Sequence, residues 1–137
     1  MLIEEGMKFV ILSPDQAAAI RPLGASEWKD VSGGHIDPKM PYRCFLKKDP
    51  FKFIDVFFYD GPVSRAVSFD DLLFDARRFV SRIENAWVSG YGGDELVSIV
   101  TDGETFGHHK AYGDRVLAYL LSVECREKGI RVVNFAE

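Results

Sequence analysis

Residues 7–12, Met-Lys-Phe-Val-Ile-Leu, form a short apolar run between Gly6 and Ser13-Pro14, and its direct junction with a helix-start signal limits the fold more than any other feature. A run of this length and content reads as a strand. Ser13 as N-cap, Pro14 at the first helical position and Gln16 as capping-box partner predict a helix that starts at once and carries Ala17, Ala18, Ala19 and Ile20. Arg21-Pro22-Leu23-Gly24 stops it. A strand feeding directly into a capped helix is the grammar of a parallel sheet, so the expected class is α/β.

The rest of the chain extends that grammar. Residues 42–46 and 51–59 have a β-like pattern around a turn at Lys48-Asp49-Pro50, which predicts a hairpin. Ser68, with Asp71 three residues on, predicts another helix start. Phe69, Leu72, Leu73, Ala76, Phe79, Val80, Ile83 and Trp87 then recur at helical spacing, while Asp70, Arg77, Arg78, Arg82 and Glu84 mostly face elsewhere. Gly90, Gly92 and Gly93 release the chain into residues 96–100, which read as a central parallel strand covered on both faces. A third helix is expected from His108 or Lys110, ending at Lys128-Gly129, and residues 130–135 read as a last strand. Residues 25–41 are irregular, broken by Gly33-Gly34, Pro38 and Pro41. The order is βα, hairpin, βα, βα, β. Residues 2–6 read as the last turn of a helix and the final strand lacks a covering helix, so both ends are expected to be cut from something larger.

Composition narrows the function. A length of 137 residues suits one domain. The formal charge of −4, from 21 acidic and 17 basic side chains, offers no overall positive field to a phosphate backbone, so nucleic acid is not an expected partner. Cys44 and Cys125 are far apart, which argues against a disulfide framework and for a reducing, cytoplasmic setting. The N-terminus lacks the features of a signal peptide and no apolar stretch reaches membrane-spanning length, so no membrane partner is expected.

Chemistry concentrates after residue 100. Asp102 stands directly after an expected strand, with Glu104 two residues on, and the carboxyl ends of strands are where parallel α/β proteins bind ligands. Gly103 and Gly107 allow unusual turns there. A carboxylic acid in a partly apolar pocket can act as a proton donor, and Asp102 is the candidate for that role, with Glu104 as orienting partner or hydroxyl acceptor. The alternative is that both acids cap the following helix. Adjacent His108 and His109 do not match helical metal-ligand spacing, although a zinc centre of Asp102, Glu104 and one histidine is the metal alternative; a substrate hydroxyl is the other partner considered. Asp60 follows its hairpin arm as Asp102 follows its strand, so Tyr59, Asp60 and Arg65 are candidates to border the same pocket, or else a plain turn and a surface ion-pair partner. Trp28 can stack on a sugar ring or plug the edge of the fold; His35 and Asp37 are weaker candidates. Neither a phosphate-binding loop nor a serine nucleophile elbow is present.

With these residues in view the sequence resembles glycoside hydrolase family 57, in particular its bacterial branch described as alpha-amylase/alpha-mannosidase-like. The resemblance runs through Gly6 to Ala17, Asp30 to Pro38, Phe58 to Val67, and most specifically Thr101-Asp102-Gly103-Glu104-Thr105-Phe106-Gly107-His108-His109. The family's Asp-Gly-Glu-x-Phe-Gly element contains its general acid, which the resemblance carries onto Asp102. Glu104, His108, His109, Tyr59, Asp60, Arg65, Trp28 and His35 are then expected to contact sugar. The resemblance implies a retaining mechanism with two carboxylates about 5–5.5 Å apart, α-linked glucan or oligosaccharide substrates, no cofactor, and no metal. It also implies that residues 1–137 are one partial barrel domain, a parallel-strand segment of a (β/α)7 barrel with an inserted β-hairpin and flanking helices. The family's nucleophile, a glutamate, lies on an earlier strand; Glu4 and Glu5 are not convincing substitutes, so the chain is expected to hold the acid without the nucleophile. Self-association, pairing with a complementary barrel fragment, or marginal stability is expected. A non-catalytic carbohydrate-binding or assembly module, or a decayed fragment without activity, is the alternative.

Overall fold

The first apolar run lies beside the second hairpin arm. In the computed structural model, which describes residues 2–87 and 95–136, β1 (Phe9–Leu12) pairs in parallel with β5 (Asp49–Phe58), with Phe9 opposite Asp55 and Leu12 opposite Phe58. β4 (Tyr42–Leu46) pairs antiparallel with β5, giving the order β1-β5-β4. A parallel pair together with helices elsewhere is compatible with the expected α/β class. The hairpin is present, but its turn is Lys47-Lys48, and Asp49 and Pro50 already belong to β5, with a register shift beyond Phe45. Pro50 sits at the second residue of its strand, where its missing N–H matters least.

The chain divides into two units, Met1–Gly61 with Asp94–Ser98, and Pro62–Gly93 with Ile99–Glu137. In the first, strand alternation sends Ile54, Val56 and Phe58 to one face, where they are buried with Val31 and Ile36; Val10, Leu12, Ala17, Ile20 and Tyr42 pack against them. The other face carries Asp55, whose carboxylate accepts two hydrogen bonds from Arg43 at 2.8 and 3.2 Å across the strands.

The expected helix after β1 is corrected. The capping contact forms, with the Ser13 amide donating to the Gln16 side chain at 2.9 Å, but the helical segment is only a 3-10 turn, Pro14–Gln16. The chain then extends into β2 (Ala19–Ile20), which pairs antiparallel with β3 (Lys29–Asp30). Burying Ala17 and Ile20 against the sheet core prevails over the modest helical preference of a three-alanine run. Residues 2–6 form turns that end at Gly6 with φ +80°.

In the second unit, α1 (Gly61–Phe69) begins at Gly61-Pro62, not at Ser68, and buries Val63, Ala66 and Val67. Proline near a helix start lacks only an N–H that would have no helical partner. A 3-10 turn, Asp71–Phe74, leads to α2 (Ala76–Glu84). Asp75 caps α2: its carboxylate accepts from the amides of Arg77 and Arg78 at 2.8 and 3.3 Å, a contribution of about 1 kcal/mol. The long apolar stripe is therefore divided between a helix, a turn and a second helix. Leu72, Leu73, Ala76, Phe79, Val80 and Ile83 are buried as their spacing predicts, whereas Phe69 is exposed.

The third helix starts at α3 (Gly113–Tyr119), later than expected, because residues 103–110 fold on themselves first. It passes through a π turn, Leu120–Glu124, into α4 (Cys125–Glu127). Its end is as expected: Gly129 at φ +67° lets its amide reach the Arg126 carbonyl at 3.2 Å and the Ile130 amide reach the Cys125 carbonyl at 2.8 Å. Gly113 has a packing reason, since a Cβ there would lie 3.3 Å from Leu73 Cδ1 and 3.5 Å from Phe106 Cα. Both cysteines are free, and burial, with Glu124 alongside, pushes the Cys125 thiol up from its ordinary value.

Two expected strands are absent among the described residues. Residues 96–100 make isolated bonds, with Leu96 N–H to the Lys39 carbonyl at 3.0 Å and Val100 N–H to Ser64 Oγ at 3.1 Å, rather than a ladder. Residues 130–135 are largely exposed and carry no strand pairing. The expectation at Gly90, Gly92 and Gly93 lies outside the described residues.

Candidate active site

The loop that holds Asp102 is built on four hydroxyls. Ser64 and Ser68 lie one turn apart on α1, and Thr101 and Thr105 flank Asp102. One proton assignment satisfies the whole chain. Thr105 Oγ1 donates to Thr101 Oγ1 at 3.0 Å, Thr101 to Ser68 Oγ at 2.7 Å, and Ser68 to the Ser64 carbonyl at 3.1 Å. Ser64 Oγ in turn accepts the Val100 amide. Ser64 and Thr105 are buried, so a missing link would leave a polar atom without water. Thr101→Val should therefore destabilise the second unit by about 1–3 kcal/mol in urea unfolding, and Ser68→Ala with Thr101→Val should cost less than the sum of the single changes.

Beyond that anchor, Asp102 precedes a 3-10 turn, Gly103–Thr105, closed by the Thr105 amide on the Asp102 carbonyl at 3.0 Å. The Asp102 side chain is exposed and makes no capping bond, so capping is not what the carboxylate does. Gly103 has an ordinary backbone, whereas Gly107 takes φ +108°, which suits glycine alone. There its amide meets the Lys110 carbonyl at 3.1 Å and the Lys110 amide meets the Thr105 carbonyl at 3.2 Å. Lys110 Nζ ties the loop to the end of α1 through the Asp70 carbonyl at 3.0 Å.

Glu104, His108 and His109 are brought together. The Glu104 carbonyl accepts both histidine amides, at 3.2 and 3.0 Å, and His109 Nε2 lies 3.5 Å from Glu104 Oε2. The rings of His108 and His109 stack edge to face with centroids 4.9 Å apart. All three side chains are exposed, so the Glu104–His109 pair contributes at most about 1 kcal/mol, and only when the imidazole is charged. Among the described residues no group of three His, Cys, Asp or Glu side chains is arranged to hold a metal ion.

The remaining sequence candidates are distributed between the units. Arg65 lies on α1 in the second unit, exposed, with its guanidinium 5.5 Å from the Phe69 ring. In the first unit, Tyr59 and Asp60 follow β5 and are half-buried; the Tyr59 amide bonds the Leu12 carbonyl at 3.3 Å and the Asp60 amide the Ser98 carbonyl at 2.8 Å. Trp28 is exposed beneath the Arg21 guanidinium at 4.8 Å, and it does not plug the fold. His35 is exposed, with Nδ1 2.6 Å from the Ser32 carbonyl. Asp30 shapes the same bend: hydrogen bonds from Ser32 hold its carboxyl below the usual aspartate value.

Sequence reasoning missed the hydroxyl chain and Lys110. The signal was present in outline, as Ser64/Ser68 and Thr101/Thr105 are each four residues apart; their mutual approach across 33 residues was not.

A protein of mixed helix and strand with a parallel strand pair, carrying an acidic loop buttressed from a helix, belongs to the broad class of mixed α and β proteins, in which functional residues often lie on loops. Within that class, the description Glycosyl hydrolase family 57 matches residues 1–137, the whole chain, and the chain belongs to that family. A carbohydrate substrate and a glycosidase-type function accord with the membership. No curated protein and no solved structure matched the chain. Among the described residues no helix is long and apolar enough to cross a membrane.

Proposed function

We propose that this chain supplies the acid half of a retaining glycosidase or transglycosylase site for α-linked glucans, with Asp102 as general acid and the nucleophile outside residues 1–137. The observation that carries the reading is the family match over the whole chain, together with the Asp-Gly-Glu-x-Phe-Gly element at Asp102. In this mechanism Asp102 gives its proton to the glycosidic oxygen as the bond from that oxygen to the anomeric carbon breaks, while a second carboxylate bonds to the carbon. Glu104, His108 and His109 accept or donate hydrogen bonds to sugar hydroxyls at the same loop; Arg65 in the second unit, and Tyr59, Asp60, Trp28 and His35 in the first, are each proposed to contact sugar. The strands belong to a (β/α)7 barrel segment forming a single partial domain, completed by a complementary fragment or a second copy.

The exposure of Asp102 favours a second reading, a carbohydrate-binding or assembly module without catalysis. A working acid needs surroundings that favour its protonated form, which bound glucan would supply by excluding water. The purified chain incubated with maltooligosaccharides is expected to release no reducing ends. Robust turnover that disappears on Asp102→Asn would instead mean that the site is complete within this chain.

A further inference from the structure

We propose that the groove along α2 is a binding site for a small phosphate monoester, separate from the Asp102 loop. The groove has a volume of about 390 Å³ and is lined by Leu72, Arg77, Arg78, Ser81, Arg82 and Asn85. Arg78, Ser81, Arg82 and Asn85 fall at spacings of three and four along and just beyond the helix, so they share one face.

Three guanidiniums over so short a stretch repel one another, and in a chain with more acids than bases their carboxylate partners would be easy to supply. Glu124, Glu84 and Asp75 are engaged otherwise. Arg77 Nε lies 3.6 Å from Oε1 of Glu124, a carboxylate buried in the π turn, which orients Arg77 at the groove. Glu84 pairs with Lys128 at 3.2 Å, and Asp75 holds the helix amides. Arg78 and Arg82 have no ion-pair partner among the described residues.

Arg78 and Arg82, one turn apart and with no ion-pair partner among the described residues, set two positive charges at one groove, and a guanidinium can donate to two phosphate oxygens at once. Ser81 and Asn85 add neutral donors at the same face, and the methylene stems of the arginines, with the small exposed edge of Leu72, give apolar contact for a carbon skeleton. The volume is that of a small-molecule site. An ester, carrying both a dianion and a carbon skeleton, uses the whole lining; inorganic phosphate uses only its polar part.

Calorimetric titration of the chain with glucose 6-phosphate, inorganic phosphate, glucose and an oligoglutamate peptide tests this. Glucose 6-phosphate should bind saturably and about tenfold more tightly than inorganic phosphate, with glucose not bound at the groove. The Arg78→Gln, Arg82→Gln double variant should lose at least about tenfold in affinity at an unchanged melting temperature. Arg78→Lys with Arg82→Lys should lose less, because lysine keeps the charge but not the fork; it also serves if the glutamine variant fails to fold. Absence of saturable phosphate binding, affinity unchanged in the variants, or tighter binding of the peptide would overturn the proposal. Equal affinity for phosphate and the ester would overturn the assignment of an ester. None of these outcomes depends on glycosidase activity, so the groove and the Asp102 loop stand or fall separately.

Discussion

Phe79→Ala is expected to cost the second unit about 3–5 kcal/mol, enough to remove a large part of the stability of a domain this size. Phe79 sits in the middle of α2 at 1% exposure, and α2 packs against the π turn and the 71–74 turn. Removing the ring deletes buried apolar area and leaves a cavity that neighbouring helices fill only in part. The control is Phe51→Ala. That ring is 90% exposed on β5, so its loss should change stability by no more than about 0.5 kcal/mol. Urea unfolding followed by circular dichroism measures both. A Phe79→Ala variant within about 1 kcal/mol of the parent would show that α2 is not packed as described.

The second large effect concerns chemistry. In any assembly that completes the site, Asp102→Asn should lower cleavage of maltoheptaose by about 10²–10⁴-fold, the usual worth of a positioned general acid. It should lower release of 4-nitrophenol from an aryl maltoside far less, because that leaving group departs without a proton. Equal losses on both substrates would make Asp102 a positioning or binding residue. Thr101→Val, which removes both hydrogen bonds of the Thr101 hydroxyl, should affect the two substrates alike, since a displaced loop weakens binding and proton transfer together.

Much of the fold was legible where local chemistry and burial agree. The hairpin, the first strand, the buried stripe from Leu72 to Ile83 and the glycine stop at Gly129 all reflect periodicity or backbone freedom at one residue. The errors have one physical origin. Ser13, Pro14 and Gln16 do make a helix-start contact, yet whether the helix stops at Gln16 or runs on to Ile20 depends on what Ala17 and Ile20 can bury, and only the sheet core decides that. Likewise Ser68 and Asp75 are both good caps in sequence; Gly61-Pro62 starts α1 early enough that Ser68 falls inside it and bonds back to the Ser64 carbonyl. Residues 96–100 and 130–135 have strand composition but lack the consecutive partners that make a ladder. At the site, the grouping of Glu104 with His108 and His109 is short-range and readable, whereas the hydroxyl anchor joins segments far apart in sequence.

The most direct measurement of the central claim supplies the second half of the reaction from solution. If Asp102 is the general acid and the nucleophile is absent, azide added with maltoheptaose should attack the anomeric carbon in the nucleophile's place as Asp102 protonates the departing oxygen. The account predicts glycosyl azide from the native chain, none from Asp102→Asn, and no cleavage by either without azide. Cleavage without azide that depends on Asp102, equal azide product from both chains, or no azide product from the native chain would contradict it.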